Sequence, residues 1–206
     1  DVARSGGTHL LVVNKPSWHL DVEVESGVDF RAVFEETIDI VEAASAVLRG
    51  RAWPVLGVHP ALISRLIDER GFAIEDARDL MIAGLEVAAT YAAEGPAVAL
   101  KSGRPHYDVA EPVREASADV LKHALQFGAD AGVPVQLHTE ATRDLTTVAD
   151  WAEAAGLPPE QVVKHYSDGP MERVTPSVMS QEEYLERAID SGEPFLMETD
   201  FIDDPD

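Results

Sequence analysis

VPVQLHTE, Val133–Glu140, is the stretch that decides the fold. It is a short apolar run, entered through Gly132 and Pro134, and it ends abruptly in three polar residues, His138, Thr139 and Glu140. A run this short and this apolar reads as a strand buried on both faces, as parallel strands are. Helical spacing leads into it over Val113–Ala131 and resumes after it over Thr142–Ala154.

The same alternation extends outward in both directions. Thr8–Asn14 (THLLVVN), Trp53–Val58 (WPVLGV) and Ala97–Leu100 (AVAL) read as strands upstream. Downstream, Val162 and Val163 begin a fifth strand, Thr175–Met179 is a short sixth, and Pro194–Met197 opens the last. Asp29–Leu48, Ile74–Tyr91 and Gln181–Asp190 carry helical periodicity between them. Gly-x-Pro and Gly-Leu-Pro-Pro punctuation at Gly132, Gly156 and Gly192 precedes strands. Repeated strand–helix order implies parallel strands joined by right-handed crossovers. A closed barrel and an open doubly wound sheet both satisfy this pattern.

The ends of the strands separate the two. WPVLGV runs into His59, AVAL into Lys101, VPVQL into His138, VVK into His165 and PFLMET into Asp200. A parallel barrel gathers its strand C-termini on one rim, where the site sits. An open sheet would not bring five such ends together. The expected fold is therefore α/β, a (β/α)8 TIM-type barrel. At 206 residues the chain is short of the roughly 250 typical of that fold. Seven strands are readable, so the barrel is expected to be incomplete at both ends of the chain. Residues 1–206 carry no repeat, linker or low-complexity stretch and read as a single domain.

Composition narrows the chemistry. There are 38 acidic against 16 basic residues and a net charge of −22. Such a surface repels polyanions at long range and argues against non-specific nucleic-acid binding. It suits a halophilic cytoplasm, where salt screens self-repulsion. The absence of cysteine excludes disulfides and thiolate metal sites. Any transition-metal site must use His and carboxylate. No run approaches the ~20 apolar residues of a membrane span, and a cytoplasmic location with no membrane partner is the expectation.

His138, His165 and Asp200 are a sensible ligand set for Zn²⁺, Mn²⁺, Mg²⁺ or a similar divalent ion that activates water. His106 and Arg104 follow the Lys101 strand on the same rim, with substrate contact or a structural role open to both. His123 falls within a helix, His9 begins a strand at the opposite end, and His19 lies in a loop after the first strand. These three are weaker candidates.

In order and spacing, Gly57-Val-His-Pro60, His138-Thr-Glu140, Lys164-His-Tyr-Ser167 and Glu198-Thr-Asp200 resemble the TatD-like metal-dependent hydrolases of the amidohydrolase superfamily. GGTHLLVVNKPS, SGRPHY, TPSV and ETDFIDDP look most like the archaeal branch. The resemblance implies a (β/α)8 barrel with one or two divalent metals, and hydrolysis of a phosphodiester, with deoxyribonuclease activity among members. It implies metal ligation by His138, His165 and Asp200, with Asp200 also taking the proton of the attacking water. His59 would line the site, and Glu140 and Arg104 would act as supporting or substrate groups.

Two departures stand out. The family's first strand ends in a His-x-His pair that this sequence lacks, and the closing segment after the last strand is missing too. The family also places a metal-bridging Glu where this chain has Lys101. Lysine could ligate only as a carbamate; a protonated Lys101 would instead fill one metal's space. The expected function is a metal-dependent phosphodiesterase or deoxyribonuclease, with rim cations (Lys15, Arg104, Lys164) offsetting the acidic surface. The alternatives are an amidohydrolase acting on a small ester, lactone or amide, and a degenerate barrel that binds a ligand or partner.

Overall fold

A computed structural model describes residues 2–201. Seven strands form one sheet in sequence order, β1 (Leu10–Val13), β2 (Ala52–Gly57), β3 (Ala99–Gly103), β4 (Val135–His138), β5 (Val162–Ser167), β6 (Thr175–Met179) and β7 (Leu196–Glu198). Every neighbouring pair is parallel. The sheet curls as an incomplete barrel, and among the described residues no pairing joins β7 back to β1. The acidic stretch from Ile202 to Asp206 lies outside the described residues.

Among the described residues six α-helices lie between the strands, two of them between β2 and β3. They are α1 (Phe30–Leu48), the short α2 (Leu62–Ser64), α3 (Ile74–Glu94), α4 (Glu111–Ala131), α5 (Thr146–Ala155) and α6 (Glu182–Ser191). Local chemistry sets their ends. Ser26 and Asp29 form a reciprocal capping box ahead of α1. α5 starts later than the Thr142 expected from periodicity, because the Asp144 carboxylate accepts the Thr146 N–H and holds the preceding residues in a turn. α4 stops at Gly132, whose φ of 68° ends the helix in the left-handed conformation that glycine tolerates.

One crossover departs from the pattern. β5 and β6 are joined by residues 168–174 with no helix between them. The Arg173 guanidinium ties this loop to α5 through Asp150 at 2.7 Å and Glu153 at 3.0 Å, and Arg143 holds Asp168 at 2.8 Å.

The core lies between the sheet and the helices. Leu56, Leu100, Leu137 and Val162 face Phe34, Leu85, Leu121 and Leu125, all fully buried. Helices α3 and α4 pack as neighbours across this layer. Among the described residues no helix is long and apolar enough to cross a membrane.

The strand register fixes the rim. Gly57 pairs with Lys101, Lys101 with Gln136, and Gly103 with His138. The backbones approach closely: a Cβ on Gly57 would lie 1.8 Å from the Lys101 carbonyl oxygen, and one on Gly103 would lie 1.8 Å from that of His138. Asn14, just past β1, clamps the same place. Its Oδ1 accepts the Gly57 N–H at 2.8 Å and its amide donates to the Gly57 carbonyl at 3.1 Å. Gly57→Ala should therefore cost about 3 kcal/mol or more, the size expected of strong backbone overpacking. Urea unfolding of the variant beside the parent chain measures it; a midpoint shift equivalent to under about 1 kcal/mol would show that this contact does not set the register.

Candidate active site

Four imidazoles share the C-terminal rim. His138, the last residue of β4, is central. Its ring lies 4.8 Å from that of His59, 4.9 Å from His106 and 5.3 Å from His165, centroid to centroid. Each comes from a different strand end, so the convergence expected from the strand-end pattern is present. Trp18, in the turn after β1, meets the His59 ring edge-on at 5.5 Å.

Their hydrogen bonds assign different chemistry to each. The Ala61 N–H donates to His59 Nδ1 at 3.2 Å. In the neutral ring this leaves the proton on Nε2, so His59 is a donor rather than a ligand. His138 Nε2 is 2.9 Å from His106 Nδ1. His165 Nδ1 lies 2.9 Å from Glu198 Oε1, and its Nε2 faces Asp200 Oδ1 at 3.6 Å. If Nδ1–H is donated to Glu198 and the ring carries one proton, Nε2 presents a lone pair toward the Asp200 carboxylate.

Burial keeps His59 and His138 neutral. It pushes His59 down to about 4, helped by the charges of Lys101, His106 and His165. It pushes His138 down to about 2, helped by His59 and Lys101. Both rings are therefore uncharged at neutral pH.

Glu198 is the residue that sequence reading missed as a site group. Burial raises its carboxyl, but the His165 hydrogen bond and charge, the Ser177 hydroxyl and the Tyr166 N–H outweigh this and hold it below the ordinary range. Ser177 donates to Oε2 at 2.5 Å and Tyr166 N–H to Oε1 at 2.7 Å. A signal was present: Glu198 ends the last strand, two residues before Asp200.

Lys101 sits within β3 rather than just after it, and is 6% exposed. Its Nζ donates to Gln136 Oε1 at 3.3 Å, on the next strand in register. Arg104 and Glu140 pair with each other, and Arg104 Nε also reaches Thr139 Oγ1 at 3.2 Å. They tie the β3–α4 loop to the β4–α5 loop beside the imidazoles. Lys164 is buried and donates to the His165 carbonyl at 2.5 Å. The weaker histidines divide. His9 stacks on Trp53 and His123 bonds the Asp119 carbonyl on α4. His19 lies close enough for its charge to act on His59.

The donors match a divalent cation in kind: neutral imidazole, carboxylate, and a carboxylate behind a ligating ring. His165 Nε2 and Asp200 Oδ1 face each other at 3.6 Å, and with a singly protonated ring both would offer electron pairs to a cation between them. The three-ligand grouping is not assembled as expected, however. Among the described residues no three His, Asp or Glu groups stand together in metal-holding geometry. His138 directs Nε2 to His106 instead.

Parallel strands curled as an incomplete barrel, with imidazoles and a carboxylate at the C-terminal rim, put the candidate site where β/α barrels carry theirs. The sequence profile described as TatD related DNase matches residues 1–205, and the chain belongs to that family. It is 29% identical over 209 residues to an uncharacterized protein of Methanocaldococcus jannaschii, which covers 97% of this chain and 71% of that one. Among solved structures it is similar to an uncharacterized amidohydrolase from Saccharomyces cerevisiae, with TM-score 0.53, 14% identity, and coverage of 96% of this chain and 66% of that one. It is also similar to an organophosphorus hydrolase from Deinococcus radiodurans, with TM-score 0.47, 13% identity, and coverage of 91% and 61%. The chain thus spans less than two thirds of the length of the solved chains that it matches.

Burial lowers the Lys101 ammonium from its ordinary 10.5 to about 8, with Glu198 and Asp200 only partly opposing. The unfolded chain binds this proton more tightly than the folded one. Stability should therefore rise as pH climbs from about 8 to 10.5. Lys101→Met should flatten that part of the rise. Urea unfolding of both proteins in chelator across this range checks it; parallel curves would refute the burial of a charged amine.

Proposed function

We propose that this protein is a divalent-metal-dependent hydrolase of phosphodiesters, with DNA among its substrates. The observation that carries the reading is the pair His165 Nε2 and Asp200 Oδ1, facing at 3.6 Å with Glu198 behind the imidazole. Membership of the TatD related DNase family supports it.

His165 and Asp200 would hold the cation, with His138 as third donor once its Nε2 leaves His106. The cation, when bound, supplies Lewis-acid stabilisation and lowers the pKa of water. Glu198 fixes the His165 ring and its tautomer. Asp200 takes the proton of the attacking water on a carboxylate oxygen. His59 offers Nε2–H to the developing charge on a phosphoryl oxygen. Lys101 enters as the neutral amine, as its carbamate, or as an ammonium that occupies the space of a second cation. The acidic surface makes high-salt solution the natural medium for assay.

A second reading keeps the site and changes the substrate to a small ester, lactone or amide. It rests on the −22 charge, which disfavours a polyanionic substrate.

In high salt with Mn²⁺, the protein should cleave DNA and bis(p-nitrophenyl) phosphate, and excess chelator should abolish both activities. Asp200→Asn should lower kcat by about 10²–10⁴-fold, the range for a general base. Glu198→Gln should weaken metal affinity by about 10–100-fold, measured by titration calorimetry. Activity that survives chelation would sink the mechanism; lactone turnover without phosphodiester cleavage would favour the second reading.

A further inference from the structure

Large rings at this protein's surface follow a pattern. Arg31 covers the face of Tyr91, Arg65 that of Trp18, Arg70 that of Phe72, Lys122 that of Trp151 and Arg187 that of Tyr184, at 4.9–5.7 Å from the centroids. Three exposed rings break it, Tyr107, Tyr166 and Phe201, and among the described residues only the two tyrosines meet an imidazole of the rim. Tyr107 is 40% and Tyr166 is 56% exposed. Among the described residues neither has a cation over its ring.

Both stand at the imidazole cluster. Tyr107 meets the His106 ring at 5.6 Å and an interplanar angle of 82°; Tyr166 meets His165 at 5.9 Å and 72°. The run of rings is continuous, Tyr107–His106–His138–His165–Tyr166, so the two phenols bracket the histidines from opposite ends. Both are also held. The Tyr107 hydroxyl lies 2.9 Å from Ser64 Oγ, which ties the β3–α4 loop to α2. Tyr166 has φ of 60°, left-handed backbone that a bulky residue rarely adopts. The β5 bulge permits it, and Glu198 Oε1, the atom that also bonds His165, accepts its N–H at 2.7 Å. A strained backbone, a bulge and a buried carboxylate together turn an aromatic ring out into water beside a reacting centre. Such devices cluster where a ligand is held.

We propose that Tyr166 and Tyr107 form a stacking subsite for a planar, unpaired ring attached to the phosphoryl group that the histidines address. This deepens the phosphodiesterase reading and rests on it for the phosphoryl anchor. Ring stacking discriminates by shape and is tolerant of ring identity, so the shared chemistry is a flat π-face, which a nucleobase or an aryl ester can supply. An exposed phenol face costs no desolvation of a charge when the ring arrives, unlike the cation-covered rings elsewhere on the surface.

The test is equilibrium binding, independent of turnover. The whole chain, with Mn²⁺ in high salt, is titrated calorimetrically with dAMP, phenyl phosphate and 2-deoxyribose 5-phosphate. The ring-bearing ligands should bind at least about fivefold more tightly than the sugar phosphate, the lower bound for one stacked ring. Tyr107→Leu and Tyr166→Asn should erase that preference and leave affinity for 2-deoxyribose 5-phosphate as it was. Asn is at home in left-handed backbone, so the second change removes the ring without added strain. Tyr107→Phe and Tyr166→Phe should keep the preference. A gain for dAMP alone identifies the ring as a nucleobase; an equal gain for phenyl phosphate identifies any aryl group. The proposal is overturned if all three ligands bind alike, if none binds, or if the ring-deleted variants match the parent. A ring preference in a protein that cleaves no phosphodiester leaves the subsite standing and removes the hydrolase reading alone.

Discussion

Everything at the rim depends on how closely three strand backbones approach one another. Gly57 lies against the Lys101 carbonyl and Gly103 against that of His138, at distances no side chain could share. Those two contacts, with the Asn14 clamp on Gly57, set β2, β3 and β4 in register. The register then decides which polar residues arrive at the same height. A parallel sheet leaves them little choice, because both of its faces are covered and only the strand ends are open to polar chemistry.

Crowding at that height has an electrostatic consequence. His59, His138 and Lys101 are all pushed toward their neutral forms, chiefly by burial. The anionic side of the site shows the opposite balance. Glu198 stays below its ordinary range despite burial, because an imidazole, a hydroxyl and a backbone N–H converge on it. The site thus joins neutral nitrogen donors to a fixed negative charge. This is the polarity a cation needs, and it stands within a chain whose overall charge of −22 would attract cations from any direction.

Much of this was legible in the sequence. Short apolar runs alternating with helical ones gave the parallel strands, and the polar residues at their ends marked the rim. The family resemblance is confirmed over residues 1–205. What was not legible depends on direction rather than position. His138 lies where it was expected, but its Nε2 meets His106, a bond that depends on the path of the β3–α4 loop. Lys101 belongs to β3 itself and finds Gln136 across the register, which only the pairing of two strands reveals. Glu198 entered the sequence reading only as part of the Glu198-Thr-Asp200 motif, with no role of its own. Its role appears only once the β5 bulge brings His165 and the Tyr166 N–H to the same carboxylate oxygen. No helix was read between β5 and β6, and the structure has a loop there, held by ion pairs to α5.

Lys101 links these threads. Its bond is to a neutral amide, and the carboxylates that oppose its loss of charge, Glu198 and Asp200, belong to the proposed cation site. An ammonium and a divalent ion drawing on the same carboxylates repel each other, most strongly where water is excluded. Loading the site therefore lowers the lysine's proton affinity further, and a protonated lysine weakens the loading by the same factor, because the coupling is reciprocal. The proton on Lys101 and a cation at His165 and Asp200 would compete for one electrostatic well. A bridging glutamate at this position would add a ligand and remove the competition. Lysine would instead make the hold on such a cation depend on pH, unless carbamylation converts the amine to the anion that glutamate would have supplied.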